Sequence, residues 1–179
     1  MKGIIFTELL EMVEQKMGDL MVETIIDEAN LESGGAYTSV GTYPAEEMEE
    51  LVHQLSLQTK LSRNQLLEAF GEYLFGSLAK NYPHFFPEGL HFFEFLSGIH
   101  NYIHVEVRKL YPDAELPELR VQEKSAQKME LLYESSRKMS HLASGLLKGC
   151  KAYFEVEADI TTTILKEDGS KVLFSISLK

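Results

Sequence analysis

The apolar residues keep a helical period as far as Leu110 and an alternating one at the end of the chain. This ordering constrains the fold more than any other feature of the sequence. A period of about 3.6 residues buries one face of a helix, and a period of about 2 buries one face of a strand. The pattern predicts an α+β molecule, with a helical N-terminal lobe and further helices packed with a small C-terminal antiparallel sheet.

The elements follow from local signals. Ile4, Ile5, Leu9, Met12, Val13 and Met17 have helical spacing, as do Leu20, Val22, Ile25 and Ile26, and Gly18 separates the two runs. Ser33-Gly34-Gly35 marks a loop over Glu32 to Gly41. Pro44 opens an amphipathic segment from Ala45 to Leu57. Ser62 caps a helix from Arg63 to Leu78, since its hydroxyl can accept an orphan backbone N–H. The two prolines between Asn81 and Pro87 end that helix. Glu88 to Leu110 carries the longest helical pattern. Tyr111-Pro112 stops it, and Pro117 forces an extended segment. The period changes from about Ser125, and a polar, alternating stretch holds Tyr133, Ser135 and Arg137. Met139 to Cys150 reads as helix with small residues at Ala143, Ser144 and Gly145. Ala152 to Lys179 reads as strand, with one run from Phe154 to Ile164, a hairpin turn at Asp168-Gly169, and a return strand from Val172 to Leu178.

Composition removes several classes. The chain has 179 residues, with 17 Lys+Arg against 28 Asp+Glu and a formal net charge of −11. Single cores run to roughly 100–200 residues, so one domain or one domain with two lobes is expected. The acidic balance argues against nucleic acid, which needs a basic surface. No apolar run reaches the roughly 18–20 residues of a membrane span, and Glu8 and Glu11 interrupt the start too early for a secretory segment. Cys150 is the only cysteine, so no internal disulfide and no cysteine-based zinc or iron–sulfur site is expected. The expectation is a soluble protein of a reducing cytoplasm.

Two constellations can carry chemistry. His100 and His104 lie four apart on one helical face. They can chelate zinc only with a third ligand, and there is no HExxH; one of them can be an axial ligand to haem iron; or they are partly buried structural histidines. Tyr133, Ser135 and Arg137 alternate. If extended, they point to one side at roughly 6.6–7 Å intervals. Two hydroxyls and a guanidinium suit a ligand with two carboxylates, such as the two propionates of haem. The bland alternative is a solvated strand face.

Taken together, these residues resemble the H-NOX family, the haem-nitric oxide/oxygen-binding domain of bacterial gas sensors and of soluble guanylate cyclase. The resemblance runs through MKGIIF, AFGEYLF (69–75), IHVEVRKLYPDAELP (103–117), YESSRKM (133–139) and GLLKG (145–149). It implies one H-NOX domain over 1–179 enclosing haem b, iron protoporphyrin IX, with a helical distal lobe at 1–60 and a proximal lobe at 61–179. The iron ligand it implies is His104, seven residues before Tyr111-Pro112, with His100 as the alternate. Tyr133, Ser135 and Arg137 would bind the propionates. Pro117 and Ile5 would hold the haem out of plane, and Ile103 would join the cofactor-binding set.

In this family a distal tyrosine, nine residues after the propionate-binding Tyr, accompanies stable oxygen binding. Here that position is Leu142, and Leu9, Leu74, Leu78 and Leu146 are the other expected distal residues. None donates a hydrogen bond, while dioxygen on iron is held by a donor. A water or a mobile tyrosine such as Tyr73 could still reach in. The resemblance therefore implies a sensor that takes NO and CO, excludes oxygen, and acts through His104 release and lobe movement. It would act on a partner protein such as a histidine kinase or a diguanylate cyclase. It would not be an enzyme, since no nucleophile, base or substrate cleft stands out. Alternatives are a haem protein with a carrier or redox role and a haem-free interaction module. The chain lacks the cysteine/histidine zinc site of some relatives, and Cys150 is expected to be inert or half-exposed. Glu46, Glu47, Glu49 and Glu50 read as a solvated helix face. His53, His84, His91 and His141 have no motif support.

Overall fold

A computed structural model describes all 179 residues. Helices α1 (Gly3–Met17) and α2 (Asp19–Asp27) meet at Gly18, whose φ of 86° ends α1 and turns the chain. Helix α3 (Ala45–Thr59) follows the loop. Helix α4 (Arg63–Asn81) starts at a capping box: the Gln65 N–H donates to Ser62 Oγ at 3.2 Å, and the Ser62 N–H to Gln65 Oε1 at 2.9 Å.

Two apolar cores form. The first joins Phe6, Leu9, Met12 and Val13 of α1 to Ile25, to Met48, Leu51 and Leu55 of α3, and to Leu66, Phe70 and Leu74 of α4. The second joins Phe75 and Ala79 of α4 to the aromatic cluster at Phe92, Phe93 and Phe95 and to the sheet. One helix thus serves both cores, which makes it the shared axis of the molecule.

The segment expected as one helix over 88–110 is three pieces. Helix α5 (Phe92–Gly98) passes into a π-helical segment (Ile99–Ile103) and then into α6 (His104–Leu110). A single widened turn changes the spacing of apolar residues too little for periodicity to reveal it. The start is later than expected because Gly89, at φ 81°, lies in a turn.

Helix α7 (Ser140–Tyr153) crosses α4 closely. A Cβ on Gly71 would stand 2.3 Å from the Leu142 carbonyl oxygen, and one on Gly145 would stand 2.0 Å from that of Glu68. Only glycine permits this approach. The small-residue face seen in the sequence is therefore a packing surface.

The sheet has four strands: β1 (Glu118–Lys124), β2 (Lys128–Glu134), β3 (Ala158–Ile164) and β4 (Lys171–Leu178), in the order β1-β2-β4-β3 with every pair antiparallel. Strand β1 was legible only as an extended segment, because it lies at an edge and five of its seven residues are exposed. The expected strand run from Phe154 also starts too early. Helix α7 continues to Tyr153, and Glu155, at φ 52°, turns the chain before β3. Phe154 and Val156 are apolar because they pack on the second core from that connection.

The glutamates at the start of α3 are not all solvated. Glu47 is 4% exposed. It accepts from the Ser33 N–H at 3.0 Å, the Ser33 hydroxyl at 2.6 Å and the Tyr37 hydroxyl at 2.6 Å, which fastens the 31–37 loop to α3. Cys150 is fully inside the second core rather than half-exposed, and burial pushes its thiol pKa up.

Candidate functional site: a buried imidazole at the seam of two cores

His104 is the first residue of α6, directly after the π segment, and is 9% exposed. Its Nδ1 has no hydrogen-bond partner, and neither has the buried Nδ1 of His100. The two rings lie 6.3 Å apart. Burial, with smaller contributions from Arg108 and His100, pushes the His104 pKa down to about 4. The imidazole is therefore neutral at physiological pH, with a nitrogen lone pair uncommitted. A metal ligand must be neutral and free in this way. No group of three or more His, Cys, Asp and Glu side chains forms, so the pair has no third ligand for chelation.

The Tyr133, Ser135 and Arg137 trio converges, but not by strand alternation. Strand β2 ends at Glu134, and only Tyr133 lies on it. Ser135 and Arg137 occupy a tight turn, in which the Ser135 N–H donates to the Ser170 carbonyl at 2.9 Å and the Arg137 N–H to Ser135 Oγ at 3.2 Å. The turn wins because β2 loses its ladder with β4 at Glu134, paired with Lys171. Arg137 has one ion pair, 3.5 Å to a Glu115 carboxylate that is itself 80% exposed. Such a pair holds weakly, so the guanidinium stays available to a stronger carboxylate partner. It lines a cleft of about 560 Å³ with Ser135, Glu115 and Lys166. Burial raises the Tyr133 pKa, which keeps its hydroxyl a donor.

The remaining expected residues fall on the two sides of one seam. Leu9 and Leu74 are buried in the first core, with Ile5, Leu78 and Leu142 packed against it. Ile103 packs against the second core, to which Tyr133 belongs. Leu146 touches both. Pro117 is half-buried immediately before β1. The chain thus offers apolar residues from both cores, a buried imidazole without a hydrogen-bond partner at Nδ1, and a turn that presents a guanidinium. These residues fit a flat apolar macrocycle with a central metal and two carboxylates.

The sequence profile of the family described as Haem-NO-binding matches residues 2–162. The chain belongs to this haem-NO-binding family.

Solved H-NOX structures share its fold. The Fe(II) unliganded H-NOX protein from K. algicida is 45% identical, with a TM-score of 0.95, over 100% of this chain and 97% of that one. An H-NOX protein from S. oneidensis in the Fe(II)NO state is 28% identical, with a TM-score of 0.91, over 100% and 99%. An H-NOX from Shewanella woodyi in the Fe(II)CO state is 36% identical, with a TM-score of 0.84, over 99% and 94%. No match was found among curated proteins. Membership supports a haem-based gas-sensor domain. No helix is long and apolar enough to cross a membrane.

One buried polar residue of α1 was missed from sequence. Glu8 is 5% exposed, and its Oε2 is buried with no partner. The signal was present as a charge on the stripe of α1 that carries Ile5 and Met12, one turn away on either side.

Proposed function

We propose that this haem-NO-binding domain is a sensor that takes NO and CO at haem b, leaves dioxygen unbound, and signals to a partner protein in the cytoplasm. The observation that carries this reading is the buried, neutral His104 with an uncommitted Nδ1. Haem, when bound, would supply the iron that takes the gas. His104 would hold the iron. Arg137 would clamp a propionate, with Ser135 and Tyr133 adding neutral donors. Ile5 and Pro117 would press on the macrocycle from the two sides of the seam.

Ile5, Leu9, Leu74, Leu78, Leu142 and Leu146 offer no hydrogen-bond donor, so dioxygen gains nothing from this wall that NO lacks. Were His104 to let go of the iron, α6 and the π segment before it would be free to move against α1 and α4. Such a two-state element is what a ligand-biased sensor needs. The signal would then pass to a partner such as a histidine kinase or a diguanylate cyclase. The reading is of a binding domain, not an enzyme.

An absorption spectrum of the reduced protein, before and after NO and then in air, tests it. A Soret band that moves with NO to a five-coordinate position and ignores air is expected. His104→Gly should lose haem, and added imidazole should restore it. A stable oxygen-bound spectrum in air would overturn the selectivity, and unchanged haem retention in His104→Gly would overturn the ligand.

A further inference from the structure

The two edges of the sheet differ. Strand β1 closes one edge and β3 the other. The β1 edge is guarded: Glu118, Arg120, Glu123 and Lys124 charge it, and its register with β2 slips between Val121 and Glu123. Charges and bulges of this kind keep an edge from pairing with another chain. The β3 edge has neither. Its register with β4 is unbroken from Ala158 to Ile164, and no charged residue stands between Asp159 and Lys166. Thr161, Thr162 and Thr163 are exposed, and so is Ile164, at 62%. A regular, uncharged edge of β-branched residues is an open template for a further strand.

The ladder fixes which backbone groups point outward. The Lys179 N–H donates to the Glu157 carbonyl at 2.9 Å, and the Leu165 N–H donates to the Lys171 carbonyl at 3.0 Å. In an antiparallel ladder alternate residues bond the same neighbour. Ile160, Thr162 and Ile164 therefore turn their N–H and C=O groups to the free edge. The run Ile160-Thr161-Thr162-Thr163-Ile164 also reads the same in both directions. A second β3, antiparallel about a two-fold axis at Thr162, sets Thr162 against itself and Ile160 of one copy against Ile164 of the other. Outward groups then meet outward groups at every one of these pairs. The side chains agree with this register. Ile160 and Ile164 share a face of the sheet with Ile176 and Val172, their partners on β4, and Ile160 already packs against the second core. The exposed Ile164 of a second copy would extend that apolar face.

We propose that the β3 edge is a docking surface for a second copy of this chain, joined antiparallel through Thr162 into one continuous sheet. The palindrome, centred on an outward-facing residue, is what favours a second copy over a strand of unrelated sequence. Such a contact is isologous and closes at two copies. It is weak, because one edge strand buries less than the roughly 1,200 Å² of a standard interface. Two chains of net charge −11 also repel, so salt strengthens the pair by screening. The proposal does not depend on the haem reading.

Sedimentation velocity of the purified chain with haem added, over rising protein concentration at about 0.05 and about 0.5 M salt, tests it. A monomer–dimer equilibrium that moves toward dimer at the higher salt is expected. Ile164→Lys should weaken the dimer about tenfold or more, because it buries a charge against an isoleucine. Leu20→Lys makes the same charge change at an exposed residue of α2 and should match wild type. Residues directly opposed in a hydrogen-bonded antiparallel pair have Cα atoms about 5.5 Å apart, within disulfide range. Thr162→Cys should therefore crosslink on oxidation far faster than Leu20→Cys, and the buried Cys150 does not compete. A chain that stays monomeric at every concentration and both salts overturns the proposal. A dimer that I164K leaves intact, or T162C that crosslinks no faster than L20C, overturns it as well.

Discussion

Leu142 carries the clearest expectation about a single side chain. It is half-buried on α7 beside the first core, one turn before Leu146. In Leu142→Tyr a phenol would supply the donor that the wall lacks. One new hydrogen bond contributes about 1 kcal/mol, so oxygen affinity should rise by roughly fivefold. Oxygen titration of the reduced variant and wild type checks this, and no gain in binding would mean that position 142 does not face the iron. His104 and Arg137 stand out in the sequence by their chemistry, and the structure buries the first and sets the second in a turn with Ser135. Glu8 and Glu47 were not legible, because a glutamate on a helix is ordinarily solvated. Their burial depends on which helix packs above them, which local sequence does not encode.

Packing between elements sets a second group of expectations. The α4–α7 crossing depends on Gly71 and Gly145. Gly145→Ala drives a methyl into the Glu68 carbonyl oxygen, an atom of a helix backbone that cannot swing away. A loss of about 1–3 kcal/mol is expected by denaturant titration, as for other overpacked sites. A variant as stable as wild type would show that the helices can separate freely. The 31–37 loop is tied to α3 by Glu47. Burial alone would raise the Glu47 pKa, but hydrogen bonds from Ser33 and Tyr37 outweigh it and hold the carboxyl below its ordinary 4.5. The unfolded chain therefore binds this proton more readily than the folded one. The stability Glu47 contributes is complete above about pH 5 and is lost as pH falls through 4.5 and below. Glu47→Gln should destabilise by about 1.5–3 kcal/mol at pH 7 and show a shallower loss in acid. Parallel pH curves for the two proteins would remove the assignment. Helices with a regular apolar face, such as α1, α3 and α4, were legible in the sequence. The π segment and β1 were not. A π turn hardly alters the apolar spacing, and an exposed edge strand has little apolar alternation to show.

At the scale of the whole molecule, two cores share α4, and the proposed haem lies along their seam. A ligand that touches both and binds only the folded state raises stability and couples them. The haem-loaded protein should unfold in one cooperative calorimetric transition. The haem-free protein should melt lower, with a van't Hoff enthalpy below the calorimetric one, because the cores can open separately. Equal cooperativity in both forms would show that α4 alone unites the cores. Cys150 gives this behaviour an internal clock. It is the chain's only thiol, it sits in the second core, and burial suppresses the thiolate that reagents attack. Labelling must wait for that core to open. At fixed pH its rate counts those openings, so the same atom can time whether an arriving gas molecule loosens that half of the molecule or tightens it.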